Sequence, residues 1–236
     1  MDAARDPLHE YVDVDGARVA YRVAGNGPAI VLIKNNRRPA DFGVASLLTN
    51  HFRVVQVHPV GFGASDRPPT FAFGRIDTQV LAVMDQEHIT DFVVWGFSQT
   101  ASMAALVARA TRRAVAFVAG GSPLIGNPSD ATMRRLEREP RLPVASLEFW
   151  RAYREFDWHH ELHVMPQPKL VYIGTADPSL SKLRSLEPVL RGCGCEYSEF
   201  DGLDHTTGGL SDESIGARTT ATAVTNWLRS NPPAFW

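Results

Sequence analysis

The sequence predicts an α/β architecture: a mostly parallel β-sheet flanked by helices, with a small helical cap inserted between the sixth and seventh strands. Short apolar, β-branched runs alternate along the chain with longer segments of helical periodicity, as in parallel strands joined by crossover helices. Near the start, two runs at period two flank Asp15-Gly16 and read as an antiparallel hairpin. From Ser122 to Pro168 the alternation stops, and only helical patterns are found. These observations divide the chain into a core over residues 1–121 and 169–236 and a cap over 122–168.

The strands follow from the same pattern in order. Glu10 to Val14 and Arg18 to Val23 form the hairpin, and Ala29-Ile30-Val31-Leu32-Ile33 is a continuous apolar strand. Phe52 to Val57, the run from Phe92, Ala114 to Ala119, Lys169 to Ile173 and Glu196 to Phe200 complete the set. Continuous apolar runs are what a strand buried on both faces requires. Helices are expected near Phe42 to Leu48, Asp77 to His88, Gln99 to Arg109, Ser179 to Leu190 and Ser214 to Arg229. In the insertion, Pro140 and Pro143 part a helix near Asp130 to Glu139 from one near Val144 to His160. The second carries Phe149, Trp150, Tyr153, Phe156 and Trp158, and Trp150 and Tyr153 are expected to line a pocket roof.

Composition narrows the function classes. With 236 residues and 44% hydrophobic content, the chain can bury one sizeable core. Lys and Arg number 24 against 26 Asp and Glu, without runs of like charge, so neither a nucleic acid nor a membrane surface is an expected partner. No apolar stretch approaches a membrane span and residues 1–7 lack the apolar region of a signal peptide, which gives a cytoplasmic expectation. Cys193 and Cys195, one residue apart, suit neither an unstrained disulfide nor a zinc site. His159, His160 and His163 with Glu161 read as a solvated helix edge rather than a metal site. No metal or cofactor is expected.

One stretch organises the chemistry. In Phe92-Val93-Val94-Trp95-Gly96-Phe97-Ser98-Gln99-Thr100-Ala101 a strand meets a helix with no loop between them. So sharp a turn crowds the residues two before and two after its apex, and Gly96 and Thr100 are both small. The apex, Ser98, would then present its hydroxyl above the sheet edge, as in a nucleophile elbow. Read alone, Ser98 is equally well a helix N-cap. A serine hydroxyl needs a base to take its proton and a carboxylate to orient that base. Asp177 in Gly174-Thr175-Ala176-Asp177 and His205 in Asp204-His205 follow later strands in the order serine, acid, histidine. Asp177 is also placed to cap the helix near Ser179, and Asp204 competes for the acid role.

With Gly61-x-Gly63-x-Ser65-Asp66-Arg67-Pro68 added to these motifs, the chain resembles the α/β-hydrolase superfamily over most of its length. The resemblance implies Ser98 as nucleophile, His205 as base, Asp177 as orienting acid, and residues from about 122 to 168 as the cap. Two places depart from the usual pattern. Lys34-Asn35-Asn36 stand where such proteins carry His-Gly, and His58 stands where the turn after the fourth strand opens with Asp. The oxyanion hole is expected from the backbone N–H of Gln99 and one from Asn35 or Asn36, because asparagine enters the left-handed region more readily than most residues. Lys34, Phe97, Trp150 and Tyr153 are the expected substrate contacts.

The expected activity is acyl transfer on a small apolar or aromatic ester, lactone or thioester, with a small-molecule substrate as partner and the oligomeric state left open. A non-hydrolytic enzyme such as a lyase, or a degenerate hydrolase acting as a ligand receptor, are the alternatives. An intact serine, acid and histidine set argues against the receptor, since binding needs no activated nucleophile.

Overall fold

Eight strands form one sheet in a computed structural model that describes residues 8–35, 43–68, 72, 74–138, 144–207 and 215–232. In chain order they are β1 (Glu10–Val14), β2 (Ala17–Ala24), β3 (Ala29–Ile33), β4 (Arg53–His58), β5 (Phe92–Phe97), β6 (Ala114–Gly120), β7 (Lys169–Gly174) and β8 (Cys195–Phe200). The spatial order is β1-β2-β4-β3-β5-β6-β7-β8. β1 with β2 and β2 with β4 pair antiparallel, and every pairing from β4 to β8 is parallel. The hairpin closes as its sequence requires. Asp15 and Gly16 both take positive φ, 53° and 79°, and Gly16 N–H donates to the Asp13 carboxylate at 3.0 Å.

The helices are α1 (Gly43–Leu48), α2 (Ile76–Gln86), α3 (Gln99–Ala110), α4 (Asp130–Arg138), α5 (Val144–Tyr153), α6 (Trp158–Val164), α7 (Leu180–Gly192) and α8 (Ile215–Ser230). Each central strand feeds two cores, one per face, by the period-two geometry of its side chains. Phe92 and Val94 of β5 join a cluster with α2, α3 and α7, whereas Val93 and Trp95 join a cluster with α1 and α8. That is why these strands read as unbroken apolar runs.

The fold has a reversal of direction at its centre. From β3 the chain moves to β4 on one side, then returns to place β5 on the other side of β3. At such a switch point the loops leaving the two strands diverge and open a crevice at their carboxyl ends, where open α/β sheets take ligands. Asn35 follows β3 and Ser98 follows β5, so both lie at this crevice.

The insertion between β6 and β7 differs from its expected form. Instead of one helix from Val144 to His160, α5 stops at Tyr153 and α6 starts at Trp158. Asp157 makes the break: its carboxylate accepts from the N–H groups of His159 and His160, at 3.1 and 3.3 Å, as an N-cap.

The two pocket-roof aromatics also sit elsewhere than expected. Tyr153 is fully buried, stacks on Trp158 with ring centroids 4.2 Å apart, and donates its hydroxyl to Leu124 O at 3.2 Å. Trp150 is buried against Phe149 and Tyr153. Both belong to the cluster that includes Met103 and Ala104 of α3, so they pack the insertion onto the sheet layer. Apolar rings this large bury more area against such neighbours than a pocket wall offers. Tyr153→Ala should therefore cost about 3–5 kcal/mol in a thermal or urea melt, and Tyr153→Phe about 1 kcal/mol. A Tyr153→Ala protein that melts like the wild type would return the ring to a pocket.

Candidate active site

Ser98 stands at the apex between β5 and α3 with φ 57° and ψ −123°, a conformation that an L-residue holds only when its surroundings force it. The forcing is visible on both sides. Ser98 N–H donates to Gly120 O at 2.8 Å, which ties the apex to β6. At Gly96 a Cβ would lie 2.0 Å from Thr100 O, so only glycine permits the helix to fold back this closely. Thr100 is buried, and its hydroxyl donates to Phe97 O while accepting from Phe97 N–H, both at 2.9 Å. Threonine at this position thus clips the turn together.

The serine makes no capping hydrogen bond with its side chain, which removes the N-cap reading. Its Oγ lies 3.0 Å from His205 Nε2, and His205 Nδ1 lies 2.7 Å from Asp177 Oδ2. The Asp177 side chain is 1% exposed and the imidazole 41%. Such a gradient leaves the histidine open to a substrate and the carboxylate dry. The other Asp177 oxygen, Oδ1, accepts Ser179 N–H at 2.8 Å in the turn that leads into α7, whose N-cap is Ser179. Asp177 thus spends one oxygen on the His205 ring and the other on the turn before α7.

Asp204 is occupied otherwise. Its Oδ1 accepts from Thr206 N–H, Thr207 N–H and the Thr207 hydroxyl at 2.7–2.9 Å. These bonds hold its carboxyl below the usual range, with the Thr207 N–H as the largest cause. The carboxylate therefore shapes the histidine loop from outside while Asp177 meets the ring.

Backbone bonds hold the two loops in register. Ala176 N–H donates to Leu203 O and Thr175 N–H to Phe200 O, each at 2.9 Å. The Thr175 hydroxyl adds Asp201 Oδ1 at 3.1 Å and accepts Gly202 N–H at 2.8 Å. Asp177 and His205 thus rest on loops laced to each other. The mutual geometry does not depend on either loop alone.

The remaining site residues divide. Phe97 is half-buried with its ring 5.0 Å from the His205 ring and forms an apolar wall beside it. Gln99 opens α3, where the first N–H groups of a helix have no carbonyl one turn back to bond. Asn35 is exposed and donates its amide to Gln99 Oε1 at 2.9 Å, bridging the β3 loop to the residue after Ser98. Among the described residues, the non-glycine positions at positive φ are Asp15, His88, Ser98 and Leu124. Asn35 is not one of them, so the left-handed backbone expected there is not found at Asn35. Lys34 is buried at the end of β3, with its N–H on Val57 O at 2.8 Å. Asn36 lies outside the described residues. The Asn35–Gln99 bridge is the contact that sequence reading missed, since nothing in either residue's neighbourhood marks the other.

Away from this crevice, His58 accepts Ala64 N–H on Nδ1 at 2.8 Å and stabilises the turn after β4. Asp66 is bound by the Arg18 side chain and N–H, which hold its carboxyl low. Burial pushes the Cys195 thiol up to about 12, as befits an inert core cysteine. The helix edge carrying the histidines is tied down by an ion pair of Glu161 with Arg109 at 2.9 Å. Among the described residues no group of three His, Cys, Asp or Glu side chains converges as metal ligands would, and no helix is long and apolar enough to cross a membrane.

Comparison with solved structures gives this architecture its name. A thermophilic esterase from Thermogutta terrifontis superposes with a TM-score of 0.71 at 16% identity, covering 94% of this chain and 98% of that one. An E-2-(acetamidomethylene)succinate hydrolase superposes at 0.69 and 17%, covering 94% and 99%. The enol-lactonase from Burkholderia xenovorans LB400 superposes at 0.65 and 20%, covering 93% and 100%. The chain has the α/β-hydrolase fold.

Within this α/β-hydrolase fold, Ser98, Asp177 and His205 occupy the loops after β5, β7 and β8. No family model matches the chain. Uncharacterized proteins of Mycobacterium bovis and Mycobacterium tuberculosis are 35% identical to it over 92 residues, which is 36% of this chain and 26% of each relative. The match thus spans about a quarter of those relatives' length.

Proposed function

We propose that this protein is a serine hydrolase that transfers an acyl group from a small, apolar ester, lactone or thioester to Ser98. The observation that carries the reading is the 3.0 Å contact between Ser98 Oγ and His205 Nε2, with the serine held at positive φ. His205 takes the Oγ proton as the oxygen attacks the substrate carbonyl, and Asp177 fixes the tautomer that leaves Nε2 free to accept it. The C–O or C–S bond then breaks, and the imidazolium returns the proton to the leaving group. Water, deprotonated by His205, attacks the acyl-serine, and Oγ leaves with the proton back on it. The oxyanion is held by the Gln99 N–H and by an N–H of the 35–36 loop.

Phe97 beside His205 supports an apolar acyl or alcohol group. The esterase and the lactonase among the superposed structures support a carbonyl substrate. Residues 122–168 would act as the cap, with α4 to α6 over the carboxyl edge of the sheet. The experiment is labelling of the purified chain by a fluorophosphonate probe alongside p-nitrophenyl esters of increasing acyl length. Labelling with turnover of short esters is expected. Labelling without turnover of any ester would favour the non-hydrolytic alternative, and absence of labelling would favour a receptor.

The Asn35–Gln99 bridge gives a separate expectation. It ties together the two segments that are to supply the oxyanion N–H groups, so its loss should raise the barrier without abolishing the chemistry. Asn35→Ala and Gln99→Ala should each lower kcat/KM several-fold. Their double-mutant cycle should show a coupling of about 0.5–1.5 kcal/mol. Fully additive effects would mean that the bridge does not act on the reaction.

A further inference from the structure

We propose that the groove between α1 and α8 is a binding site for a ligand carrying linked phosphates. The groove encloses about 330 Å³ and is lined from α8 by Arg218, Thr222, Thr225, Asn226 and Arg229, and from the opposite wall by His51. Positions 218, 222, 225 and 229 advance by four, three and four residues, which returns each to the same helical face. The arginines and threonines therefore form one stripe. α8 contains no acidic residue along Ile215–Ser230, and α1 contains none along Gly43–Leu48.

Charge gives the groove its character. The protein has a net charge of −2, and Arg18, Arg53, Arg109, Arg113, Arg154 and Arg184 each lie against a carboxylate. Among the described residues neither Arg218 nor Arg229 has a carboxylate partner, and no acid lines the groove. Two guanidiniums facing one concavity, with no carboxylate partner among the described residues, focus positive potential into it.

The spacing selects the ligand. Eleven helical residues separate the two arginines by about 16 Å along the axis. A single small anion can satisfy one of them, whereas a run of linked phosphates can reach toward both. Guanidinium forks match phosphate oxygens bidentately, and the Thr222, Thr225 and Asn226 side chains add neutral donors between them. Free polyphosphate and the phosphate chain of a nucleotide share this chemistry.

The test is isothermal titration of the full chain with tripolyphosphate, with ATP and with orthophosphate at fixed ionic strength. A saturable one-site heat with tripolyphosphate is expected, weaker or absent with orthophosphate. ATP binding tighter than tripolyphosphate would identify a nucleotide ligand, and equal affinity would identify the phosphate chain alone. Arg218→Ser and Arg229→Ser should each weaken binding about tenfold, and the double variant should lose it. The melting temperature should rise with tripolyphosphate in the wild type but not in the double variant. Both arginines are exposed, so these variants should melt like the wild type without ligand. Ester turnover should be unchanged, since the groove shares no residue with the crevice at Ser98. No saturable heat in the wild type, or undiminished binding in the double variant, would overturn the proposal.

Discussion

Ser98→Ala and His205→Ala should each lower kcat by several orders of magnitude, with the double variant little worse than either. Residues that pass one proton among themselves act as a unit, so removing a second member subtracts little more. Asp177→Asn should cost on the order of 10⁴ in kcat. The substitution is nearly isosteric, and the amide oxygen can still accept Ser179 N–H, so the turn into α7 is kept. Its NH₂ would then face His205 Nδ1, now 2.7 Å from a carboxylate, and favour the tautomer with the proton on Nε2. That tautomer cannot accept from Ser98. Asp204→Asn separates the two acids: its carboxylate binds only its own loop, so activity should stay within a few-fold of wild type. Steady-state kinetics with a melt of each variant checks all five. A dead Asp204→Asn beside an active Asp177→Asn would transfer the acid role.

Gly96→Ala should destabilise the protein by about 3 kcal/mol or more. The added Cβ would lie 2.0 Å from Thr100 O, 2.3 Å from Thr100 C and 2.6 Å from Ala101 N. All three are backbone atoms of the first turn of α3, so no side chain can swing aside. Relief requires α3 to move off β5, which would disturb both the core behind Ser98 and the positive φ that presents its hydroxyl. Activity should fall together with stability. Gly192→Ala is the control, because a Cβ there meets nothing within 4 Å and its φ is not positive. It should change stability by no more than about 0.5 kcal/mol. Urea unfolding of both variants measures the difference. A Gly96→Ala protein as stable as the Gly192→Ala control would show that the elbow is looser than its contacts imply.

The sequence by itself determined the sheet, because burial on both faces makes β3, β5 and β6 unbroken apolar runs. It also determined the hairpin at Asp15-Gly16, whose turn admits few residue types, and the order of Ser98, Asp177 and His205 along loops that one sheet edge must gather. Local chemistry sufficed for these, since each is set by a strand's own environment or a turn's own dihedral angles.

Tertiary structure decided what depended on distant partners. Ser98 read equally as cap or nucleophile until His205, 107 residues away, came within 3.0 Å of its hydroxyl. Asp204 adjoins His205 in sequence whereas Asp177 lies 28 residues before it, and only the lacing of the loops after β7 and β8 aimed the distant one at the ring and turned the adjacent one onto its own turn. Trp150 and Tyr153 looked like pocket walls because aromatic density in an insertion does not say which face the rings turn to. Their burial against α3 follows from apolar area, which is larger in the core than at a pocket rim. The Asn35–Gln99 bridge was invisible for the same reason: a side chain from the loop after β3 and one from the start of α3 meet only because β5 is placed beside β3.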